Sequence, residues 1–219
     1  MRRIKWERIL LSMLLCVAMI CCLTACSGKK NEKPDGTTEE PTTEEPTTEL
    51  QLETDGVLNL AINVMYNDSD SEYYGNEIGE YVAVTGDGQY TLTFEFDKHI
   101  SDAAKRAGVR GINKLTSIYI KDYAVTNGLL TASNIVSCDI KYDKIMVDDK
   151  EMTITITEPK NAIKDSGIFD TNDPFNSWDG SAVAEVTIDS EAHVLTINDI
   201  DNPKKVTITF TLSNLVFAE

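Results

Sequence analysis

Histidine, cysteine and basic residues are scarce in this chain, and each shortage removes a class of function. His99 and His193 are the only histidines and there are five cysteines, which leaves little material for a zinc centre or a Cys–His nucleophile. Lysine and arginine number 20 against 36 aspartates and glutamates, a formal net charge of -16 over 219 residues. Such a surface repels phosphate, and nucleic-acid binding depends on neutralising phosphates, so no nucleic acid is expected as a partner. The chain has no Gly-x-Ser-x-Gly elbow, no Gly-rich phosphate loop with lysine and no His-Glu-x-x-His pair. His99 lies at the start of a predicted helix and His193 in a polar turn beside Glu191, and both read as surface residues rather than bases. Carboxylate pairs at the ~5–10 Å a glycosidase needs carry no signal in a chain this acidic. No catalytic residue is assigned, and the chain is read as a non-enzyme.

Long apolar runs are equally scarce. One spans residues 9–23, behind Arg2, Arg3, Lys5 and Arg8. It is somewhat short for a spanning helix of ~20 residues and has the plan of a secretory signal peptide. Its end, Leu23-Thr24-Ala25-Cys26, resembles the lipobox of bacterial lipoproteins. That resemblance implies a signal peptide over residues 1–26 and acylation of Cys26, palmitate included. It also implies a lipid anchor in the cell membrane with the protein facing outward, on the extracellular side. Cys16, Cys21 and Cys22 would leave with the signal. Cys138 alone remains, so no internal disulfide is available. It sits among alternating apolar residues and reads as a small buried hydrophobe.

Residues 27–50 contain almost no apolar side chain, and Pro-Thr-Thr-Glu recurs from Pro41 and from Pro46. Such a segment cannot bury enough surface to offset the entropy of ordering, and proline with like charges keeps it extended. It reads as a disordered Pro/Thr/Glu-rich linker, a stalk between membrane and domain.

The globular part is residues 51–219, with 13 basic residues against 28 acidic ones, a net of -15. Period-two alternation of β-branched and aromatic residues predicts strands over 57–65, 89–96, 115–123, 135–142, 152–157, 182–188 and 206–212. Gly86-Asp87-Gly88, Asp148-Asp149, Asp179-Gly180 and Asp201-Asn202-Pro203 supply turns between them. Two short helices are predicted. One covers 101–107, capped by Ser101 and stopped by Gly108; the other covers 160–165, behind Pro159. Many strands without long alternating helices give an all-β fold, a two-sheet antiparallel β-sandwich of jelly-roll or immunoglobulin-like type.

No cofactor is expected, although an oxygen-rich chain leaves a structural calcium ion open. Asp68-Ser69-Asp70-Ser71-Glu72 opens like an EF-hand loop, but Tyr73 stands at the sixth position and Gly79 at the twelfth. It is not one. Residues 170–173 and 199–202 are read as further acidic turns.

The aromatic residues say more. Tyr73 and Tyr74 lie side by side in a stretch read as a polar loop, with Asn76 and Glu77 close behind. Trp178 follows Asn176 and precedes Asp179 and Gly180. Flat rings with amides and carboxylates beside them suit sugars, because the ring takes the apolar face and the polar groups take hydroxyls. The alternative for Trp178 is a ring that plugs one end of the core.

Four stretches resemble a carbohydrate-binding-module-like β-sandwich found in extracellular polysaccharide-degrading proteins of anaerobic bacteria. They are Gly86-Asp87-Gly88-Gln89-Tyr90-Thr91-Leu92-Thr93-Phe94, the hairpin from Ile140 to Glu151, Asn176-Ser177-Trp178-Asp179-Gly180, and the terminal strand from Val206 to Leu215. Asp149 stands where glycine is common in the hairpin turn of such modules. The resemblance implies the sandwich fold, with the Asn–Trp loop near a ligand face.

The leading expectation is a membrane-anchored, non-catalytic glycan-binding module with polysaccharide or oligosaccharide as partner. Tyr73, Tyr74 and Trp178 are its candidate rings, and Asn76, Asn176 and Asp179 its polar contacts. The alternative is a surface adhesin or scaffold domain that binds a protein. A glycoside hydrolase is the third reading.

Overall fold

In the computed structural model the described residues are 52–68, 73–200 and 202–219. The predicted leader, Cys26, the linker and most of the acidic run before Tyr73 lie outside them. In chain order the strands are β1 (Leu58–Asp68), β2 (Tyr73–Val84), β3 (Gly88–Glu95), β4 (Leu115–Asp122), β5 (Ile135–Val147) and β6 (Lys150–Glu151). After them come β7 (Lys160–Asn161), β8 (Asp170–Asn176), β9 (Thr187–Asp189), β10 (Val194–Thr196) and β11 (Lys205–Phe217). Three α-helical turns among the described residues, α1 (Phe96–His99), α2 (Asp102–Arg106) and α3 (Tyr123–Thr126), and a 3-10 turn (Ile112–Lys114) sit between strands.

The strands form two antiparallel sheets. The first runs β2-β1-β4-β10-β9, with β8 also paired to β4; the second runs β3-β11-β5-β6, with β7 also paired to β5. The expected β-sandwich is therefore present. Its cause is visible in β11, where Val206, Ile208, Phe210 and Leu212 are buried while Thr207, Thr209 and Thr211 are half-buried. The inward residues join Leu60, Ile62 and Val64 of β1 and Ile118 and Ile120 of β4 in one core. Each such side chain contributes ~1.5–3 kcal/mol when fully buried. On the outer side the threonines pair across strands, Thr91 with Thr209 at 3.1 Å and Thr93 with Thr207 at 3.3 Å. Cys138 is 1% exposed and unbridged, and burial pushes its thiol up to about 12. This agrees with its reading as a buried hydrophobe.

Several expectations need correction. The helix predicted over 101–107 forms as α2, with Ser101 Oγ accepting the Ala104 N–H at 3.2 Å and Gly108 at φ 84°. The helix predicted over 160–165 does not form. Lys160–Asn161 instead pairs with Asp139 and Ile140 of β5, and Ile163 bridges Phe169. A six-residue helix is marginal alone, and the sheet edge offers the same backbone better partners. The stretches 152–157 and 182–188 meet mainly through the bridge Ile154 to Ala184 and bonds such as Thr155 N–H to Val183 O at 2.7 Å. Only Thr187–Asp189 becomes a named strand there.

The Tyr73–Tyr74 segment is not a loop, since it opens the twelve-residue β2. The acidic turn read at 170–173 is the first half of β8, and Asp170 pairs with Lys164 at 2.9 Å. Asp199 lies in a turn and pairs with Lys150 at 3.2 Å. Among the described residues no three His, Cys, Asp or Glu side chains converge as metal ligands. Asp148 and Asp149 link Val147 to Lys150 without glycine, because Asp148 itself takes φ 49°.

Candidate functional site

Alternation along β4 sends Ile118 and Ile120 into the core and Ser117, Tyr119 and Lys121 to the opposite face. Register then assembles that outer face. On one side Ser117, Tyr119 and Lys121 stand opposite Met65, Asn63 and Ala61 of β1. On the other they stand opposite Asn176, Pro174 and Asp170 of β8. Tyr119 forms the floor, only 7% exposed, with its hydroxyl donating to Met65 Sδ at 2.9 Å. Burial pushes its phenol well above the usual tyrosine range, and Asp170 and Tyr74 add to the rise. The Lys121 ammonium lies 4.5 Å from the Tyr119 ring centroid, a cation–π contact.

At the end of β8 the chain turns back sharply. The Trp178 N–H donates to Asn176 Oδ1 at 2.9 Å and the Ser181 N–H to Asp179 Oδ1 at 2.8 Å. Beneath them Ser177, fully buried, donates from Oγ to Thr116 O at 2.6 Å. These bonds fix the turn to the edge of β4 and raise Trp178 into solvent, 55% exposed. Gly180 takes φ 72° where the turn meets Ser190. One face of the indole is covered by His193, with ring centroids 4.0 Å apart and planes 20° from parallel.

Trp178, Asn176 and Asp179 edge a cleft of about 430 Å3, with Tyr119 and Ser117 at its base and Lys121, Lys164 and Asp170 along its side. The Lys164–Asp170 pair also borders a smaller cavity of about 210 Å3 reaching toward Ile140, Tyr142 and Thr171. Asp170 Oδ1, His193 Nδ1, Thr116 Oγ1 and both amide atoms of the fully buried Asn63 lack hydrogen-bond partners among the described residues, as does His99 Nε2 elsewhere in the domain.

The rings and amides singled out from sequence fall into two groups on one face. Asn176, Trp178 and Asp179 form the turn just described. Asn176 is 8% exposed, so with Oδ1 committed to Trp178 it has Nδ2 left to offer. Tyr74 and Asn76 are exposed on β2, opposite Asn67 and Met65 of β1. They lie three strands from β8, about 14 Å away at ~4.8 Å per strand. The Tyr73 side chain lies outside the described residues. Sequence reading missed Tyr119, Lys121, Asp170 and His193. The outward positions of the strand at 115–123 were a usable signal for the first two, whereas Asp170 and His193 reach the cleft through pairing and turn geometry alone.

No family model, curated protein or solved structure matches the chain.

Proposed function

We propose that this chain is a membrane-anchored extracellular lipoprotein whose sandwich binds glycan without catalysis, at the Trp178 cleft. The observation that carries the reading is the exposed indole of Trp178, braced by His193 at the mouth of a cleft floored by a second aromatic ring. A braced ring offers a large apolar face at low entropic cost, which suits the flat apolar side of a pyranose. Asn176 Nδ2, Asp170 Oδ1 and the Lys121 ammonium supply the donors and acceptor that hydroxyl groups need. Tyr74 and Asn76, on the same face, extend the surface for a longer chain. The lipobox-like Cys26 and the linker fit a domain held away from a membrane to meet polymers outside.

Affinity-gel electrophoresis of the full chain against plant and host polysaccharides tests this. Retardation by at least one of them, lost in Trp178→Ala, is the expected result. No retardation by any polysaccharide, or equal retardation of wild type and Trp178→Ala, removes the reading.

A further inference from the structure

Resting on that reading, we propose that the sugar held in the cleft carries a carboxylate, and that Lys121 selects it. Eight lysines of the domain form ion pairs with carboxylates. Lys114 and Lys160 also have partners. Lys121 is different. Among the described residues its ammonium has neither ion pair nor hydrogen bond, and it rests over the Tyr119 ring instead.

In a domain with 28 acidic residues against 13 basic ones, a lysine without a carboxylate is kept so by its surroundings. Asp170, opposite Lys121 in the β4–β8 register, directs Oδ2 to Lys164 at 2.9 Å. Asp179 commits Oδ1 to the Ser181 N–H. The cleft thus holds Lys121 and Lys164 against Asp170 and Asp179, neutral in sum on a shell that is otherwise strongly negative. An anion meets less repulsion here than the net charge suggests, and it meets one uncommitted cation. Beside that cation, Asp170 Oδ1 is a buried acceptor with no donor among the described residues. An acidic sugar matches both groups, with its carboxylate on Lys121 Nζ and a neighbouring hydroxyl donating to Asp170 Oδ1. A charge-assisted hydrogen bond is roughly twice as strong as a neutral one.

Two sources of a sugar carboxylate, plant-wall uronates and host sialosides, are separated by the test. Titration calorimetry on the detergent-solubilised full chain uses trigalacturonate against its methyl ester, and sialyllactose against lactose. The expected result is about tenfold tighter binding of the acid in one pair, ~1.4 kcal/mol, and the pair that responds names the source. Lys121→Met, which keeps the apolar stem over Tyr119, should weaken the acid far more than its neutral match and so remove the acid's advantage. Equal affinity for acid and neutral match in both pairs overturns the inference and leaves the glycan reading standing. A preference that survives Lys121→Met does the same. If none of the four sugars binds, the inference falls, and the polysaccharide gels alone decide the glycan reading.

Discussion

The imidazole of His193 lies against the indole of Trp178, centroids 4.0 Å apart and planes 20° from parallel. A ring has two faces, so this stack assigns one to the protein and leaves one for a ligand. His193 is itself held in place. Asp189 Oδ1 accepts the N–H groups of Glu191 and Ala192 at 3.1 and 2.9 Å, and His193 takes φ 54°. Removing the brace in His193→Ala should free the indole, increase quenching of Trp178 fluorescence by acrylamide, and weaken glycan binding severalfold. Stability should change by no more than about 1 kcal/mol, since the residue is outside the core. His193→Phe restores a flat support and should restore affinity. Equal quenching in wild type and His193→Ala would show that the stack does not order the ring.

Legibility followed the sheet faces. β11 was plain in sequence because one of its faces is apolar and the other threonine, which is the pattern of a strand over a single core. β2 was hidden because Gly75 and Gly79 break its alternation. Both glycines are there for contact: Gly75 makes room for the Tyr66 ring and Gly79 lets β2 pass close to Thr93 of β3. β8 was hidden by Asn172, Asp173 and Pro174, residues of turns, placed in a strand by its pairing with β4. The site shows the same division. Trp178, Asn176 and Asp179 were legible as one short turn. Tyr119, Lys121, Asp170 and His193 join it only through long-range pairing, and no local pattern encodes that.

Gly79 is the point where the two sheets approach through backbone. A methyl group there would lie 2.9 Å from Thr93 O and 3.7 Å from both Ile62 O and Phe94 Cα. Main chain on both sides yields poorly, so Gly79→Ala should destabilise by about 1–3 kcal/mol, as overpacking does. Gly86→Ala is the matched control, with nothing within 4 Å of the added carbon. It should be neutral or slightly stabilising through the unfolded chain. Urea unfolding of the two variants compares them directly, and equal midpoints would refute the close-approach argument.

Asp148 ties the β5–β6 turn to the start of β11. Its Oδ1 accepts the N–H groups of Lys204 and Lys205, each at 2.9 Å, and its own N–H donates to Lys205 O at 2.8 Å. Asp148→Ala removes the acceptor for two backbone donors and places a methyl side chain at φ 49°. Two lost hydrogen bonds at ~0.5–1.5 kcal/mol each predict a loss of about 1–3 kcal/mol. Asp148→Asn retains an acceptor and tolerates the left-handed backbone, so it should recover most of the loss. Thermal melting that ranks Asn no better than Ala would show that the carboxyl oxygen is not what holds the turn.

Burial of His99 sets the sign of a pH dependence in the fold. Its Nδ1 accepts the Glu95 N–H at 2.9 Å and its ring packs against Phe94, centroids 5.3 Å apart. Burial lowers its affinity for a proton, and the Lys98 ammonium adds to this; Glu80 and Glu95 act the other way. In the unfolded chain a histidine takes up a proton near pH ~6.5, while the folded site resists until lower pH. The unfolded state therefore binds more protons in that window, and stability rises with pH across it. Lowering the pH from 7.5 to 5.5 should reduce the melting temperature, above the range where exposed carboxylates titrate at ~4. In His99→Asn an amide oxygen can accept the same N–H without titrating, so the slope should flatten. If wild type and His99→Asn lose stability in parallel over this range, the dependence belongs to another group.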